Sequence, residues 1–194
     1  MGLFGKSFII ETTPTPALNP LPPNGDAENF DEFGGLYLKS EAESVIPAGW
    51  RLPTYQDFDS LINYLGITSA VNRLKDSNPE YWAGGGEGIN NVGFNGRAAG
   101  TAEIVGASFI THRFREVFSI MTSHDELQKQ IFYNSNFPLD AGDTSSTTYH
   151  SVRFLRDTAS AHGTIGVLDI NGIIHNTIVI NDQEWMSENM KNKS

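Results

Sequence analysis

The sequence predicts an α+β fold in which two short helices come first and most of the strands follow. Three observations carry this. A capped amphipathic helix starts at Thr54, seven glycines crowd residues 84–100, and strand-like runs recur from there to residue 180.

The chain has 194 residues, of which 39% are hydrophobic and 19% charged. That composition buries a core and excludes wholesale disorder, and the length suits about one domain with an extension. Lys and Arg number 13 against 23 Asp and Glu, a net charge of −10. Such a surface repels phosphate backbones, so a nucleic-acid partner is not expected. The densest basic cluster, His112, Arg113 and Arg115, is followed directly by Glu116. There is no cysteine, which removes disulfides, thiolate metal sites and cysteine nucleophiles together. No run of 18 apolar residues exists, so no membrane insertion is expected. Glu11 and a proline tract cut short any signal-like apolar stretch, so the expectation is synthesis in the cytoplasm without general secretory export. Gly5-Lys6-Ser7 lacks the upstream glycine of a phosphate-binding loop.

Residues 1–29 read as an extended arm. Pro14, Pro16, Pro20, Pro22 and Pro23 preclude regular ladders and helices. The arm reads equally as a linker or as an anchor along a partner, for which Leu3, Phe4, Phe8, Ile9 and Ile10 supply apolar contacts. The globular body spans 30–157. Residues 35–39 read as a short strand. Thr54 and Asp57 have capping-box spacing, and Phe58, Leu61, Ile62 and Leu65 form one apolar stripe that Gly66 closes. A second helix is expected over 70–75. The stretch 84–100, with Asn90, Asn91 and Asn95 among its glycines, reads as a long loop pinned by Trp82, Ile89, Val92 and Phe94. Strands are expected over 107–111, 116–122, 129–133 and 149–155. The segment 158–194 reads as a hairpin turning at Asn171-Gly172 with a type I′ turn, continued by 177–180 and a turn at Asn181-Asp182.

Catalytic patterns are not found. His112, His124, His150, His162 and His175 have no metal-ligand spacing, and no nucleophile elbow is present. Asp140 and Asp143 with Asn134 and Asn136 offer oxygens to calcium, without the register of an EF-hand. The carboxylate neighbours Asp57/Asp59 and Glu41/Glu43 do not face one another on a helix. No cofactor is expected, calcium being the single metal left open, and the chain reads as not an enzyme.

Pro47-Ala48-Gly49-Trp50-Arg51-Leu52-Pro53-Thr54, Leu74-Lys75, Trp82, Asn91-x-Gly93-Phe94-Asn95, Arg97-Ala98-Ala99-Gly100 and Ser151-Val152-Arg153-Phe154-Leu155-Arg156-Asp157 together resemble the Fibrobacter-type major paralogous domain over about 34–157. Phe154 stands where that family has cysteine, and 118–123 is a degenerate form of its W-S-S-T-like strand. The family's opening segment resembles Asp169-Ile170-Asn171-Gly172, Thr177-Ile178-Val179-Ile180 and Gln183-Glu184-Trp185-Met186-Ser187-Glu188-Asn189-Met190-Lys191, displaced here to the C-terminal side. Circular permutation and strand exchange with a neighbouring subunit both account for this, and pairing within one chain is favoured.

The resemblance implies a C-type-lectin-like fold with a small twisted antiparallel sheet, used as a binding scaffold. Formylglycine-generating chemistry on that fold relies on cysteines absent here. Trp50, Trp82 and Trp185 are expected in the core. Arg51, Arg153 and Arg156 are expected to pair with Asp157, Glu184 or backbone carbonyls. The ligand-binding candidates are Asn90, Asn91 and Asn95 in one loop, and Asn134, Asn136, Asp140 and Asp143 in another. The expected role is a phage virion component (capsid decoration, head fibre or tail-associated protein), homo-oligomeric and joined to other virion proteins through the arm. The alternative is a bacterial cell-surface or secreted module that binds a glycan or protein.

Overall fold

The structure, a computed structural model, describes residues 18–123, 128–132, 134–135, 139–141, 147–157, 166–169 and 171–192. Within them the fold is α+β, with short helices and largely antiparallel sheets. Among the described residues the packing already includes Leu18, ahead of the start expected at Phe30. Leu18 and Leu21 are buried, and Leu21 exchanges backbone hydrogen bonds with Leu36. The Glu41 carboxylate fastens this stretch by accepting from Asn19 N at 3.0 Å. Residues 18–29, read from sequence as arm, thus pack on the body because their leucines fill its core. Residues 1–17 lie outside the described residues.

Among the described residues four α-helices form: α1 (Glu28–Phe33), α2 (Lys39–Ser44), α3 (Tyr55–Leu65) and α4 (Ala70–Leu74). Helix α3 starts as its sequence predicts, with Asp57 N donating to Thr54 Oγ1 at 3.2 Å and Thr54 N to Asp57 Oδ2 at 2.6 Å. Its stripe Phe58, Leu61, Ile62 and Leu65 is buried. The polar, acidic sequences of α1 and α2 carry no such stripe, which is why the periodicity misses them.

The main sheet has seven strands: β1 (Leu36–Tyr37), β2 (Thr101–Val105), β3 (Ser108–His112), β4 (Val117–Ile120), β5 (Gln128–Phe132), β6 (Leu139–Ala141) and β7 (Thr148–Ser151). The order runs β3-β2-β7-β4-β5-β6, with β1 also on β7. The sheet is larger than the sequence suggests and not purely antiparallel, since β4 meets β7 in parallel at Ile120 and Ser151. The expected strand over 149–155 divides into β7 and β8 (Leu155–Arg156), because Val152, Arg153 and Phe154 turn inward between two sheets.

Strand β9 (Val167–Leu168) pairs with β10 (Ile174–His175). Their loop holds five residues, not the two of a type I′ turn. Asp169 Oδ1 accepts from both Asn171 N and Ile173 N and opens the turn. Strands β11 (Thr177–Ile180) and β12 (Gln183–Met186) form the tight hairpin around Asn181 and Asp182. Strand β12 also pairs with β8 of the same chain, Trp185 opposite Leu155.

Three apolar clusters result among the described residues, and two of them are large. One joins α3, α4, Trp82, Phe94, Phe118 and Trp185, with the Phe58 and Phe94 rings edge-on to Trp185 at 5.1 and 5.8 Å. The other joins Leu18, Tyr37, Val45, Leu52, Phe154, Met186 and Met190. Trp82 and Trp185 occupy the interior as expected. Trp50 is only half-buried, and its ring lies 5.0 Å from the Arg156 guanidinium.

Candidate functional site

The loop nominated from sequence is built by hydrogen bonds along both flanks. Gly96 N donates to Leu74 O at 2.8 Å, Asp76 N to Gly96 O at 2.9 Å and Ile89 N to Asn72 O at 2.8 Å. Trp82 Nε1 adds a fourth bond to Gly96 O at 3.1 Å. Two glycines are needed for this contact. A Cβ on Gly88 would sit 2.3 Å from Asn72 O, and one on Gly96 would sit 2.8 Å from Leu74 O. Asn90 and Asn95, both with positive φ, hold one another: Asn90 Nδ2 donates to Asn95 Oδ1 at 2.5 Å and Asn95 N to Asn90 Oδ1 at 3.0 Å. Asn91 Oδ1 accepts from Arg73 Nε at 3.0 Å. Asn90 and Asn95 thus brace the loop on itself, while Asn91 ties it to Arg73 on α4.

Of the other candidates, Asn134 is exposed, and Asp140 lies in β6, with its side chain outside the described residues. Asn136 and Asp143 also lie outside them.

Arg153 anchors the same loop from below. It is fully buried, donates to Phe94 O, to Asn95 O at 2.8 Å and to Asn189 Oδ1 at 2.8 Å, and lies 4.3 and 5.0 Å from the Phe94 and Phe118 rings. Burial weakens its hold on the proton, which the charges of Glu188 and Asp76 offset only in part. Arg51 forks onto Asp57 at 2.6 and 2.9 Å and also reaches Asp157. Burial alone would raise the Asp57 carboxyl, but Arg51 and Thr54 outweigh it and hold it below the usual carboxylate range. Arg156 Nε reaches Glu184 Oε2 at 2.6 Å. All three arginines find the kinds of partner expected of them.

Lys75 is buried over Trp82 at 4.8 Å, and burial lowers its pKa to about 8. Ser119 Oγ lies 3.2 Å from His150 Nδ1, both sealed under the sheet. Both Asp169 oxygens are occupied, one by turn amides and the other by His175 Nε2 at 2.9 Å. Among the described residues no group of three or more His, Cys, Asp or Glu side chains is arranged to hold a metal ion. Among them, too, no helix is long and apolar enough to cross a membrane.

One open cleft, with a volume of about 460 Å³, lies where α1 meets the turns at 78–81 and 113–115. Phe33, Tyr81 and Phe114 give it aromatic surface, and Asn29, Glu32, Asn78, Glu80 and Arg115 give it polar groups. Arg97 stacks over Tyr81 at 4.0 Å, and Tyr81 Oη donates to Glu32 Oε2 at 2.5 Å. Sequence reading missed this cleft because its residues come from three distant segments. The one local signal is Phe114 set between two arginines.

The two most distinctive sequence motifs converge in space: Arg51 and Leu155 exchange backbone hydrogen bonds of 2.9 Å each way. The model of the Fibrobacter succinogenes major domain matches residues 9–156. The chain belongs to this family. No curated protein and no solved structure matches the chain. In this Fibrobacter succinogenes major domain the motif residues Arg51, Arg153 and Asp157 make scaffold contacts: Arg51 joins Asp57 to Asp157, and Arg153 holds Asn95 O and Asn189.

Proposed function

We propose that this chain is a non-enzymatic binding and display protein, a phage virion component such as a capsid decoration, head fibre or tail-associated protein. In this reading the body is C-type-lectin-like, its C-terminal strands are the family's opening segment in displaced position, and the N-terminal stretch joins other virion proteins. The observation that carries it is the use made of the interior polar groups. Arg153, Asn189, Asp169 and His175 are spent fixing irregular backbone, which gives a stiff frame presenting loops. Density or antibody labelling at a defined position on purified particles is the expected result. Particles lacking the protein would refute the reading.

The cleft favours a second reading, a bacterial surface or secreted module that binds a glycan. Ring faces beside amides and carboxylates suit a polyhydroxylated ligand. Glycan-array binding that Tyr81→Ala abolishes would support it, and silence of the parent protein would refute it.

A further inference from the structure

We propose that a second copy of this chain pairs with strand β3, edge to edge, about a twofold axis at Ile110. Strand β3 ends the main sheet and has β2 as its single strand neighbour. Among the described residues, its outer side makes no backbone hydrogen bond in any turn or loop. The β2–β3 hairpin also exposes Ile104 (47%), Val105 (51%), Phe109 (41%) and Ile110 (43%). Cross-strand register puts Ile104 beside Phe109 on one face and Ile110 beside Glu103 on the other, so apolar side chains flank the edge on both faces, with the turn at Pro23–Gly25 lying against Phe109. Natural edge strands are usually blunted by lysine, proline or a bulge. Ser108-Phe109-Ile110-Thr111-His112 has no lysine or proline, and its register with β2 runs unbroken.

Charge selects a copy of the same chain as the occupant. Two bodies of net charge −10 repel, yet the hairpin carries one carboxylate, Glu103, and it is paired with His112 at 3.1 Å. Antiparallel pairing centred on Ile110 sets Ile110 against its own copy, Phe109 against Thr111 and Ser108 against His112. No like charges are opposed, and the two main sheets become one. Residues 18–25 of the same chain are not placed to add a strand here. From Gly25, which abuts Phe109, the chain runs back past Leu36 to Glu41, away from this edge.

The absence of cysteine makes the test direct. Ile110→Cys in the full chain should give a disulfide-linked dimer on mild oxidation, because the two positions face each other. Ile67→Cys, exposed on the α3–α4 connection, should stay monomeric. Light scattering of the parent at tens of micromolar should give twice the chain mass, and Ile110→Lys should halve it with an unchanged circular-dichroism spectrum. A monomeric parent, or equal cross-linking by both cysteine variants, would overturn the pairing. Ile9→Asp should leave the dimer intact, and its loss would assign the edge to the N-terminal segment instead. The inference deepens the display reading and fails separately from it. A monomer found on particles sinks only the pairing, and a dimer absent from them sinks only the virion role.

Discussion

At the scale of single residues, Arg153 shows how a buried cation is tolerated. Its guanidinium satisfies carbonyl oxygens of the loop that no strand would otherwise reach. Arg153→Met should lower the unfolding free energy by about 4 kcal/mol, since several buried acceptors lose their donor. Arg153→Lys should recover only part of this, because one ammonium cannot reproduce the fork. Urea unfolding of both variants measures the difference. Asp57 makes a pH prediction. Its folded pKa is depressed, so its contribution is present above the ordinary carboxylate value of about 4 and is lost as pH falls through the folded value. Asp57→Asn should remove that part of the acid sensitivity and cost about 1–2 kcal/mol at neutral pH. Lys75 acts with the same sign at higher pH but for the opposite reason, since burial disfavours its charged form. Its folded pKa of about 8 lies below that of the unfolded chain, so between about pH 8 and 10 the unfolded state holds more protons and stability rises with pH. In Lys75→Met this rise should vanish from a series of unfolding midpoints.

At the scale of elements, the legible parts were those with a repeating apolar pattern or a cap. Helix α3, from Thr54 to Gly66, could be read because its stripe and its capping carboxylate lie within a dozen residues. Strand β2 is not legible because Thr101-Ala102-Glu103 looks like loop beside the glycines, although Gly106 marks its two-residue turn into β3. The wide turn at Asp169 was misread because one side chain, not backbone propensity, sets its size. The order of the glycine-rich loop is legible from its core-sized side chains, but the mutual bonding of Asn90 and Asn95 is not. That engagement depends on a sharp fold of the chain that spacing alone does not reveal. Gly88→Ala tests the close packing: the added methyl would press on Asn72 O, so a loss of about 2 kcal/mol or more is expected. Gly85→Ala, where a Cβ meets nothing within 4 Å, should lose only about 1 kcal/mol through its positive φ. Thermal melts of the pair separate crowding from backbone strain.

At the scale of the whole molecule, the two large cores share one late segment. Trp185 completes the first, while Met186 and Met190 enter the second. Tyr37 Oη donates to Asn192 O at 2.9 Å, and Asn189 Nδ2 to Phe33 O at 2.7 Å, so residues 183–192 are held from both sides. Trp185→Ala should cost about 4 kcal/mol and lower the melting temperature of the entire body in a single transition. A split transition, with one core surviving, would show that the cores fold independently. The general α+β class was visible in the sequence, because strand and helix signals are local. This convergence was not, because it joins residues more than a hundred positions apart.

That late segment is held to the rest of the chain by contacts that do not depend on the covalent link between Asp157 and Gly166. Its tryptophan, its methionines and the Arg156–Glu184 bond would survive a cut there. Two polypeptides made separately, one ending after β8 and the other starting before β9, should therefore find each other in solution and restore the native fluorescence. The molecule would then serve as a ready-made split reporter, its tryptophan emission shifting when the halves meet.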